Sequence, residues 1–454
     1  MLGVARSAYH VAKQGDRVNL GPGQERGYAV VETWEKPDVA VYGLGYIGLP
    51  TAIAFAEAGK RVLGVDVNLA VVESLRQGRS HIAEEGIQDR LISALSSGRL
   101  QVSTEPGPAD AHLVAVPTPA TADHRADISY VESASFSIAS VLAEGDLVVI
   151  ESTVPPGTCE RVVGPMIERQ CGLKFGRDYD LAHCPERVIP GRIFLEIVEN
   201  DRIVGGTTPE AASRAADLYR AFVTGDILLT DSVTAELAKL MENTYRDVNV
   251  ALANEFAEVS RRHGADVFKA IALANRHPRV DILRPGIGVG GHCIPVDPWF
   301  LVESAPEEAK LIRTAREVNL SRTERIAERV VQALWQSKAH RAAFLGLTYK
   351  PDVDDFRESP AVEVVKAVRE RWQGQVIVAD PCLSSLPAEL EGMGVEWRSL
   401  NGAIQEADFV VPLVSHRQVV QLDWDRLPNK TLFDPAGILP AKRDSAAEAV
   451  QARA

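Results

Sequence analysis

The sequence has few cysteines, no long hydrophobic run and no excess of positive charge. Its five cysteines are odd in number and scattered, which excludes a disulfide scaffold and favours a reducing cytoplasm. No window approaches the roughly 18 to 20 apolar residues that a transmembrane helix requires. The first 36 residues are interrupted by charged side chains and do not resemble a secretion signal. We therefore expect a cytoplasmic protein that does not bind membranes.

The charge balance limits the possible partners. A formal net charge of -13 argues against a protein that coats nucleic acid or an anionic membrane, since both require a strong positive field. A small anionic substrate stays possible, because it needs only a local basic pocket. The 454 residues exceed what one ordinary hydrophobic core accommodates, so two or three domains are expected.

Short apolar strands alternate with helices in two parts of the chain, and long helical periodicity separates them. This pattern predicts an α/β protein with two Rossmann-like doubly wound domains joined by a central all-helical domain with a long helix. The expected parts are a tail (1–36), a dinucleotide-binding domain (37–228), a central domain (229–338), a second α/β domain (339–440) and a tail (441–454). Helices in the central domain are predicted at 232–263, 266–276 and about 306–335.

A glycine motif follows the first predicted strand. The spacing G-x-G-x-x-G covers Gly43, Gly45, Tyr46, Ile47 and Gly48. It opens a predicted helix, and Asp66 ends the next strand about twenty residues later, as in dinucleotide-binding folds. The aspartate would bind ribose hydroxyls and repel a 2′-phosphate, so NAD is the predicted cofactor. The competing interpretation is that these glycines serve only packing.

Two threonines follow later strands, at the carboxyl edge where ligands bind in open sheets. Thr118 and Thr153 would line the nicotinamide side of such a site. The alternative is that both threonines only cap turns.

Cys293 follows four glycines within eight residues, a composition that allows unusual backbone angles and close approach of a ligand. A nucleophile, a phosphate cradle and a small buried thiol are all compatible with this pattern. Zinc is disfavoured, because the adjacent pairs His183-Cys184 and His292-Cys293 lack the usual ligand spacing. No metal is predicted.

Polar residues lie on one face of the long helix. Glu236, Lys239 and Asn243 are three and four residues apart, so the face is either a solvated stripe or a site where a partly buried ammonium stabilises a thiolate or oxyanion. A basic group at Arg276, His277 and Arg279 either binds a pyrophosphate or forms a solvated turn.

These motifs together resemble the UDP-glucose/GDP-mannose dehydrogenase family from about Asp38 to Gly437. Besides the glycine and cysteine segments, the resemblance rests on 116–119, on Cys-Pro-Glu-Arg at 184–187, on Lys239 with Asn243, and on 345–350 followed by 354–360. The segments 274–280, 288–300 and 311–319 are most similar to the UDP-N-acetyl-D-mannosamine dehydrogenases of that family.

The resemblance implies a four-electron, NAD-dependent oxidation of the C6 hydroxymethyl group of a UDP-N-acetylhexosamine, through a cysteine thiohemiacetal and thioester. UDP-N-acetyl-D-mannosamine is the expected substrate, and UDP-N-acetylglucosamine or UDP-glucose the alternative. A homodimer or higher homo-oligomer, joined through the central helices, is also implied. Outside this activity, a single-step β-hydroxyacid dehydrogenase and a non-enzymatic NAD-binding sensor remain as rival interpretations.

The resemblance also assigns roles to individual residues. The implied catalytic residues are Cys293, Lys239, Asn243, Asp297, Glu186 and Thr153, with Glu186 as general base for hydrolysis. The implied substrate-binding residues are Arg187, Lys239, Asn243, Arg276, His277, Arg279, Gly290 and Lys350, and Arg357 would contact the cofactor. Many UDP-glucose enzymes carry a second glutamate four residues after the first, where this chain has Pro190, so the resemblance does not assign how base catalysis is divided here.

Overall fold

The computed structural model describes residues 36–189, 191–424, 427 and 430–439. Except for Lys36, the predicted tails at 1–36 and 441–454 lie outside the described residues, and so does Pro190. No helix in the described ranges is long and apolar enough to cross a membrane.

The first sheet contains eight described strands. They are β1 (Val39–Tyr42), β2 (Val62–Val65), β3 (Leu100–Ser103), β4 (Ala111–Val114), β5 (Leu147–Ile150), β6 (Asp180–His183), β7 (Arg202–Gly206) and β8 (Ile227–Asp231). Their order is β3-β2-β1-β4-β5-β6-β7-β8, with every neighbouring pair parallel except β6 and β7. The first six strands have the Rossmann order, in which ligands bind where the direction of strand order reverses.

Helices cover both faces of this sheet. They are α1 (Gly48–Glu57), α2 (Leu69–Arg76), α3 (Ile87–Ser96), α4 (Ser129–Ala139), a π-helix (Cys159–Val163), α5 (Gly164–Cys171), α6 (Ile193–Glu199) and α7 (Pro209–Tyr219). Because both faces are covered, β1, β4 and β5 are buried at all four positions, as expected for a parallel sheet with a core on each side.

The central region is helical and connects the two sheets. It contains α8 (Ser232–Arg262), α9 (Val267–Ala274), α10 (Asp297–Ser304) and α11 (Lys310–Ser337). The side chain of Asp231 caps α8 by accepting a hydrogen bond from Thr234 N at 2.8 Å. The domain boundary predicted at residue 228 falls inside β8. The predicted third helix, at about 306–335, corresponds to α11, whereas the short helix α10 was not predicted.

A buried polar network joins α8 to α11. Arg316 forms a 2.6 Å ion pair with Asp247, and Asn319 donates to the same carboxylate at 2.8 Å. Asn254 donates to Asn319 Oδ1 at 2.9 Å and accepts from Gly286 N at 2.9 Å. The network therefore ends on the backbone where the glycine-rich segment begins, and it anchors that segment to both long helices.

The second sheet contains β9 (Arg341–Leu345), β10 (Gln375–Ala379), β11 (Val395–Trp397), β12 (Phe409–Pro412) and β13 (Thr431–Leu432), all parallel in the order β11-β10-β9-β12-β13. Its helices are α12 (Pro360–Arg371), a 3₁₀ turn (Ala388–Leu390), α13 (Leu400–Glu406) and α14 (Arg417–Val420). Apolar clusters lie on both faces. The predicted class, two Rossmann-like domains joined by a central helical region, is confirmed.

Candidate active site

The glycine motif forms the turn between β1 and α1, and its three glycines differ in what they contact. Gly43 has φ +89°, and a Cβ there would lie 2.6 Å from the carbonyl oxygen of Ala115. A Cβ on Gly48 would lie 1.8 Å from the Gly43 oxygen, so both positions exclude a side chain. A Cβ on Gly45 would have no neighbour within 4 Å. That open face at the start of α1 fits a dinucleotide pyrophosphate.

Asp66 is held beside the same turn. Its Oδ2 accepts a hydrogen bond from Leu44 N at 2.9 Å, and its Oδ1 accepts one from Asn68 N at 2.9 Å. These bonds orient the carboxylate next to the glycine turn at the end of β2. The arrangement fits an adenosine ribose, and Gly45 with Asp66 are the residues that would hold NAD.

Ser152 joins the loops after β4 and β5. Its Oγ donates to Val116 O at 2.7 Å and accepts from Val116 N at 2.9 Å. The two loops carry Thr118 and Thr153, both partly exposed. In the described chain neither threonine hydroxyl has a hydrogen-bond partner, so both stay available to a ligand at this edge of the sheet.

The polar face of α8 is buried, which excludes the solvated stripe. Glu236 is fully buried and accepts hydrogen bonds from the backbone N–H groups of Gly157 and Cys159, the latter at 2.9 Å. It thereby ties α8 to the loop after β5. Lys239, nearly one turn later, is 9% exposed and has no hydrogen-bond partner among the described residues.

Asn243 and Asp297 meet beside Lys239. Asn243 Nδ2 donates to Asp297 Oδ2 at 2.6 Å, and both side chains are buried. Burial raises the pKa of Asp297 to about 6, although Lys239 and the Asn243 hydrogen bond oppose the shift. The carboxyl group is therefore mostly ionised at neutral pH, and it balances the charge of the Lys239 ammonium.

Cys293 lies one turn before α10. Its carbonyl oxygen accepts hydrogen bonds from Val296 N at 3.0 Å and Asp297 N at 2.9 Å, which join the cysteine segment to the start of α10. The Cys293 side chain is exposed to solvent, although the surrounding protein still partly desolvates the thiol. That burial, followed by the Asp297 charge, raises the pKa of Cys293 to about 11, while Lys239 and Arg357 act in the opposite direction.

The glycines before Cys293 allow close packing against the loop between β9 and α12. A Cβ on Gly290 would lie 2.5 Å from the Glu358 carbonyl oxygen. Gly291 has φ +87°, and a Cβ there would lie 2.9 Å from the Tyr349 ring. The structure thus accounts for Gly290 by packing, and its contact with substrate stays a prediction.

The β9–α12 loop brings cations from the second α/β domain to the cysteine. Burial lowers the pKa of His292, and the neighbouring Arg357, Lys350 and Lys239 lower it further. Arg357 is ion-paired with Asp355 at 2.7 Å. Three cationic side chains therefore surround the Cys293 segment and suit an anionic ligand.

Arg357 also lies near the glycine turn. Burial and the Asp354 charge raise the pKa of Tyr46, and Arg357 opposes that shift. Tyr46 is 39% exposed at the mouth of the turn. Since the guanidinium acts electrostatically on both Tyr46 and Cys293, it is placed between the cofactor turn and the nucleophile.

Glu186 follows β6 and has a partner that the sequence did not reveal. Its Oε2 pairs with Arg202 Nη2 at 3.2 Å, and its Oε1 accepts from Arg187 N at 2.6 Å. The Arg187 side chain pairs with Glu242 of α8 at 2.6 Å. Arg202 lies in β7, sixteen residues from Glu186, and no local pattern links the two.

The predicted basic group lies apart from this cluster in a single chain. Arg276, His277 and Arg279 are exposed after α9, and within the described ranges none of their side chains forms an ion pair or hydrogen bond with Lys239 or Cys293. Their contact with substrate stays a prediction.

A dinucleotide turn, a cysteine beside a buried lysine, and a second Rossmann-like domain are together the features of a dinucleotide-dependent dehydrogenase. Comparison with known proteins agrees. Models of the UDP-glucose/GDP-mannose dehydrogenase family match residues 37–223 (NAD binding domain), 233–321 (central domain) and 343–441 (UDP binding domain). The chain belongs to this family, which confirms the resemblance, the prediction of an oxidoreductase and the prediction of NAD.

Individual relatives align along nearly their whole length. The chain is 48% identical over 414 residues to an NDP-N-acetyl-D-galactosaminuronic acid dehydrogenase of Ralstonia nicotianae, covering 90% of this chain and 97% of the relative. It is 44% identical to the UDP-N-acetyl-D-mannosamine dehydrogenase of Yersinia pestis, covering 88% and 98%. The solved UDP-N-acetyl-D-mannosamine dehydrogenase of Pyrococcus horikoshii has 41% identity and a TM-score of 0.82, covering 89% and 96%.

The contrast between Gly45 and Gly48 gives a prediction on cofactor binding. Gly45→Ala should leave the fold intact and weaken NAD binding by about tenfold or more, because the new methyl group occupies the open face of the turn. Gly48→Ala should instead lower the thermal denaturation midpoint, because its Cβ meets the Gly43 carbonyl. Calorimetric titration with NAD and thermal denaturation measure both effects. A Gly45→Ala variant that binds NAD like the wild type would contradict the assignment.

The charges around Cys293 give a prediction on thiol reactivity. Lys239→Met should move the pKa of Cys293 upward from about 11, since the variant lacks the cation that favours the thiolate. Alkylation of Cys293 at pH 9 should therefore become slower, as followed by mass spectrometry of its peptide. Lys350→Met is the matched control, because Lys350 acts on His292 and not on Cys293. Equal alkylation rates in wild type and Lys239→Met would show that Lys239 does not lower the pKa of Cys293.

Proposed function

We propose that this chain oxidises the C6 hydroxymethyl group of a UDP-N-acetylhexosamine to a carboxylate, with UDP-N-acetyl-D-mannosamine as substrate and the mannosaminuronate as product. The observation that carries the proposal is the cluster of Cys293, Lys239, Asn243 and Asp297. A β-hydroxyacid dehydrogenase would need neither this cysteine nor a second α/β domain. A sensor without activity would need no thiol beside a buried ammonium.

The oxidation removes four electrons, so one substrate requires two hydride transfers. Gly45 and Asp66 would hold NAD at the glycine turn, and the cofactor would supply the hydride acceptor for both transfers. The alcohol first loses a proton and a hydride and becomes an aldehyde. The Cys293 sulfur then adds to the aldehyde carbon while the thiol proton passes to the carbonyl oxygen. The resulting thiohemiacetal loses a second hydride and a proton to become a thioester. Water releases the acid and restores the thiol.

Lys239 and its neighbours would stabilise the negative charge that develops on the reacting oxygen. An ammonium group that is buried and without a hydrogen bond to the protein can stabilise an alkoxide more strongly than an exposed one. Asn243 would hold that oxygen or a water, and Asp297 would position Lys239 or the water. Because the thiol of the free enzyme is protonated at neutral pH, the cysteine must lose its proton as it adds to the aldehyde.

Hydrolysis of the thioester needs a base, and Glu186 is our proposed residue. Its two oxygens are engaged by Arg202 and by Arg187 N, so it must weaken one of these contacts to accept a proton from water. Pro190 removes the second glutamate of many UDP-glucose enzymes. Thr153, with a free hydroxyl at the edge of the sheet, would help to orient the water or the nicotinamide ring.

The choice of sugar rests on the relatives and on the sequence segments around the cysteine. The relatives named above act, by their names, on N-acetylated sugars with the manno and the galacto configuration. We keep the manno substrate because the segments 274–280, 288–300 and 311–319 resemble those enzymes most. The galacto, gluco and UDP-glucose substrates are the alternatives. We also propose the cytoplasm as location, since Cys293 must remain reduced.

The central prediction concerns stoichiometry. With UDP-N-acetyl-D-mannosamine the enzyme should form two NADH for each acid, and kcat/KM should exceed that for the UDP-linked N-acetylgalactosamine, N-acetylglucosamine and glucose. Absorbance of NADH and mass spectrometry of the product measure both. One NADH per product would contradict the thioester route. A higher kcat/KM for another sugar would identify that sugar as the preferred substrate instead.

The matching variant is Cys293→Ala. It should form no acid, whereas calorimetric NAD binding should change less than about threefold, because Gly45 and Asp66 are untouched. Acid formation at the wild-type rate would show that Cys293 is not the nucleophile. The Cys382→Ala variant is the control for loss of a thiol elsewhere.

We further propose a homodimer through the central helices. On α8, one side exposes apolar residues: Met241, Tyr245, Leu252, Phe256 and Val259. The adjoining α9 is apolar in sequence yet has no buried residue. A second copy of this chain, related by a two-fold axis, would cover this surface and bring a second set of Arg276, His277 and Arg279 near it.

Charged substitutions on this apolar surface of α8 test the dimer. Wild type should sediment at twice the chain mass of 49.2 kDa, and the double variant Leu252→Glu with Val259→Glu should shift toward one chain. Ile92→Glu, an equally exposed apolar position on α3, should leave the mass unchanged. A monomeric wild type at micromolar concentration would exclude the dimer.

A further inference from the structure

A buried arginine lies behind the proposed general base. Arg202, in β7, is 4% exposed, and its Nη2 pairs with Glu186 Oε2 at 3.2 Å. β7 runs antiparallel to β6, and His183 lies opposite Gly205. The same register, continued beyond the end of β6, places Glu186 opposite Arg202. The reversal of strand direction at this point of the sheet thus brings the two side chains together.

Aromatic rings and a backbone carbonyl hold the guanidinium on its other sides. Arg202 Cζ lies 4.8 Å from the ring centroid of Tyr219 and 5.6 Å from that of Phe222, within the range of cation–π contacts. Nη2 also donates to Ile197 O at 3.4 Å. Burial would lower the pKa of Arg202, but the neighbouring acidic groups, Glu186 foremost, outweigh it and raise that pKa. The guanidinium is therefore charged and packed on several sides.

The two oxygens of Glu186 have different partners. Oε2 is paired with the buried charge of Arg202, whereas Oε1 accepts a hydrogen bond from the neutral N–H of Arg187 at 2.6 Å. Separating Oε2 from Arg202 would leave a buried charge without its partner, which costs more than releasing a neutral N–H group. Oε1 is therefore the oxygen that can turn to a water while Oε2 stays held.

A second buried carboxyl group lies near the same arginine. Tyr219 Oη donates to Glu151 Oε1 at 2.6 Å, and in the described chain Glu151 Oε2 has no hydrogen-bond partner. Burial raises the pKa of Glu151 to about 7, with Arg202 opposing the shift and Glu186 adding to it. Because Glu151 is partly ionised near neutral pH, its charge can balance Arg202 while Glu186 carries a proton.

We propose that Arg202 is a positioning residue for hydrolysis of the thioester, holding Glu186 Oε2 so that Oε1 can accept a proton from the attacking water. This role presupposes the proposed function, in which Glu186 is the general base. As water adds to the thioester carbon, one of its protons passes to Oε1. The carbon–sulfur bond breaks with its electron pair going to the Cys293 sulfur, and the proton then returns to that sulfur.

Mass spectrometry of the intact protein distinguishes this role from a purely structural one. Full-length Arg202→Met, mixed with NAD and the sugar nucleotide that wild type oxidises fastest, should form two NADH per chain in a burst and then turn over at least about tenfold more slowly than wild type. The thioester should accumulate on Cys293 as a mass increase, to a higher level than in wild type. A variant with only a damaged fold would lose the burst and carry no adduct.

Three further variants locate the effect. Glu186→Gln should accumulate the same adduct, and adding Arg202→Met to it should slow turnover no further, because the arginine acts through that carboxylate. Arg202→Lys keeps the charge without the planar guanidinium and should fall between wild type and Arg202→Met. Arg214→Met is the matched control, since Arg214 pairs with Asp180 at the other end of β6, and it should hydrolyse the thioester like wild type.

The role of Arg202 is overturned if Arg202→Met hydrolyses the thioester at the wild-type rate, or if its effect adds fully to that of Glu186→Gln. Where thermal denaturation shows that Arg202→Met does not fold, a wild-type hydrolysis rate in Arg202→Lys has the same meaning. An adduct in Glu186→Gln but not in the folded arginine variants would leave the proposed function standing without Arg202. No adduct in Glu186→Gln would show that Glu186 is not the base and would overturn both.

Discussion

The buried polar face of α8 is the constraint on which the rest of the molecule depends. Glu236 binds the backbone of the loop after β5, Asn243 binds Asp297, and Asp247 binds Arg316 of α11. Each contact joins α8 to a different part of the chain. Buried polar groups are costly when unpaired, so these bonds specify one relative position for the nucleotide sheet, the cysteine segment and α11. The same contacts place Lys239, which lies on this face, near Cys293.

The groups around Cys293 act on the pKa of its thiol in opposite directions. Burial and the nearby Asp297 charge keep the thiol protonated in the free enzyme, and Lys239 with Arg357 limits the shift. A protonated thiol is less open to oxidation and alkylation than a thiolate. In the proposed reaction the same cations would stabilise an alkoxide or a diphosphate.

The two Rossmann-like sheets share an aspartate at the same position, but its surroundings differ between them. Each has an aspartate directly after its second strand, and each aspartate accepts hydrogen bonds from the turn after the first strand: Asp66 from Leu44 N, and Asp380 from Leu347 N. Asp66 remains beside an open turn. Asp380 is instead covered by His416 and is buried. The same strand order therefore supports a dinucleotide site in one half and a closed, histidine-capped edge in the other.

The sequence by itself determined the class of fold and the NAD turn, and it singled out the glycine-rich segment before Cys293, because strand periodicity, glycine spacing and Asp66 are local signals. It also indicated that Lys239 and Asn243 share a helix face. Only the tertiary structure decided that this face is buried, that Arg202 pairs with Glu186, and that His416 covers Asp380. Those contacts join residues far apart in the chain, and their formation depends on how the helices and sheets pack, which no local pattern encodes.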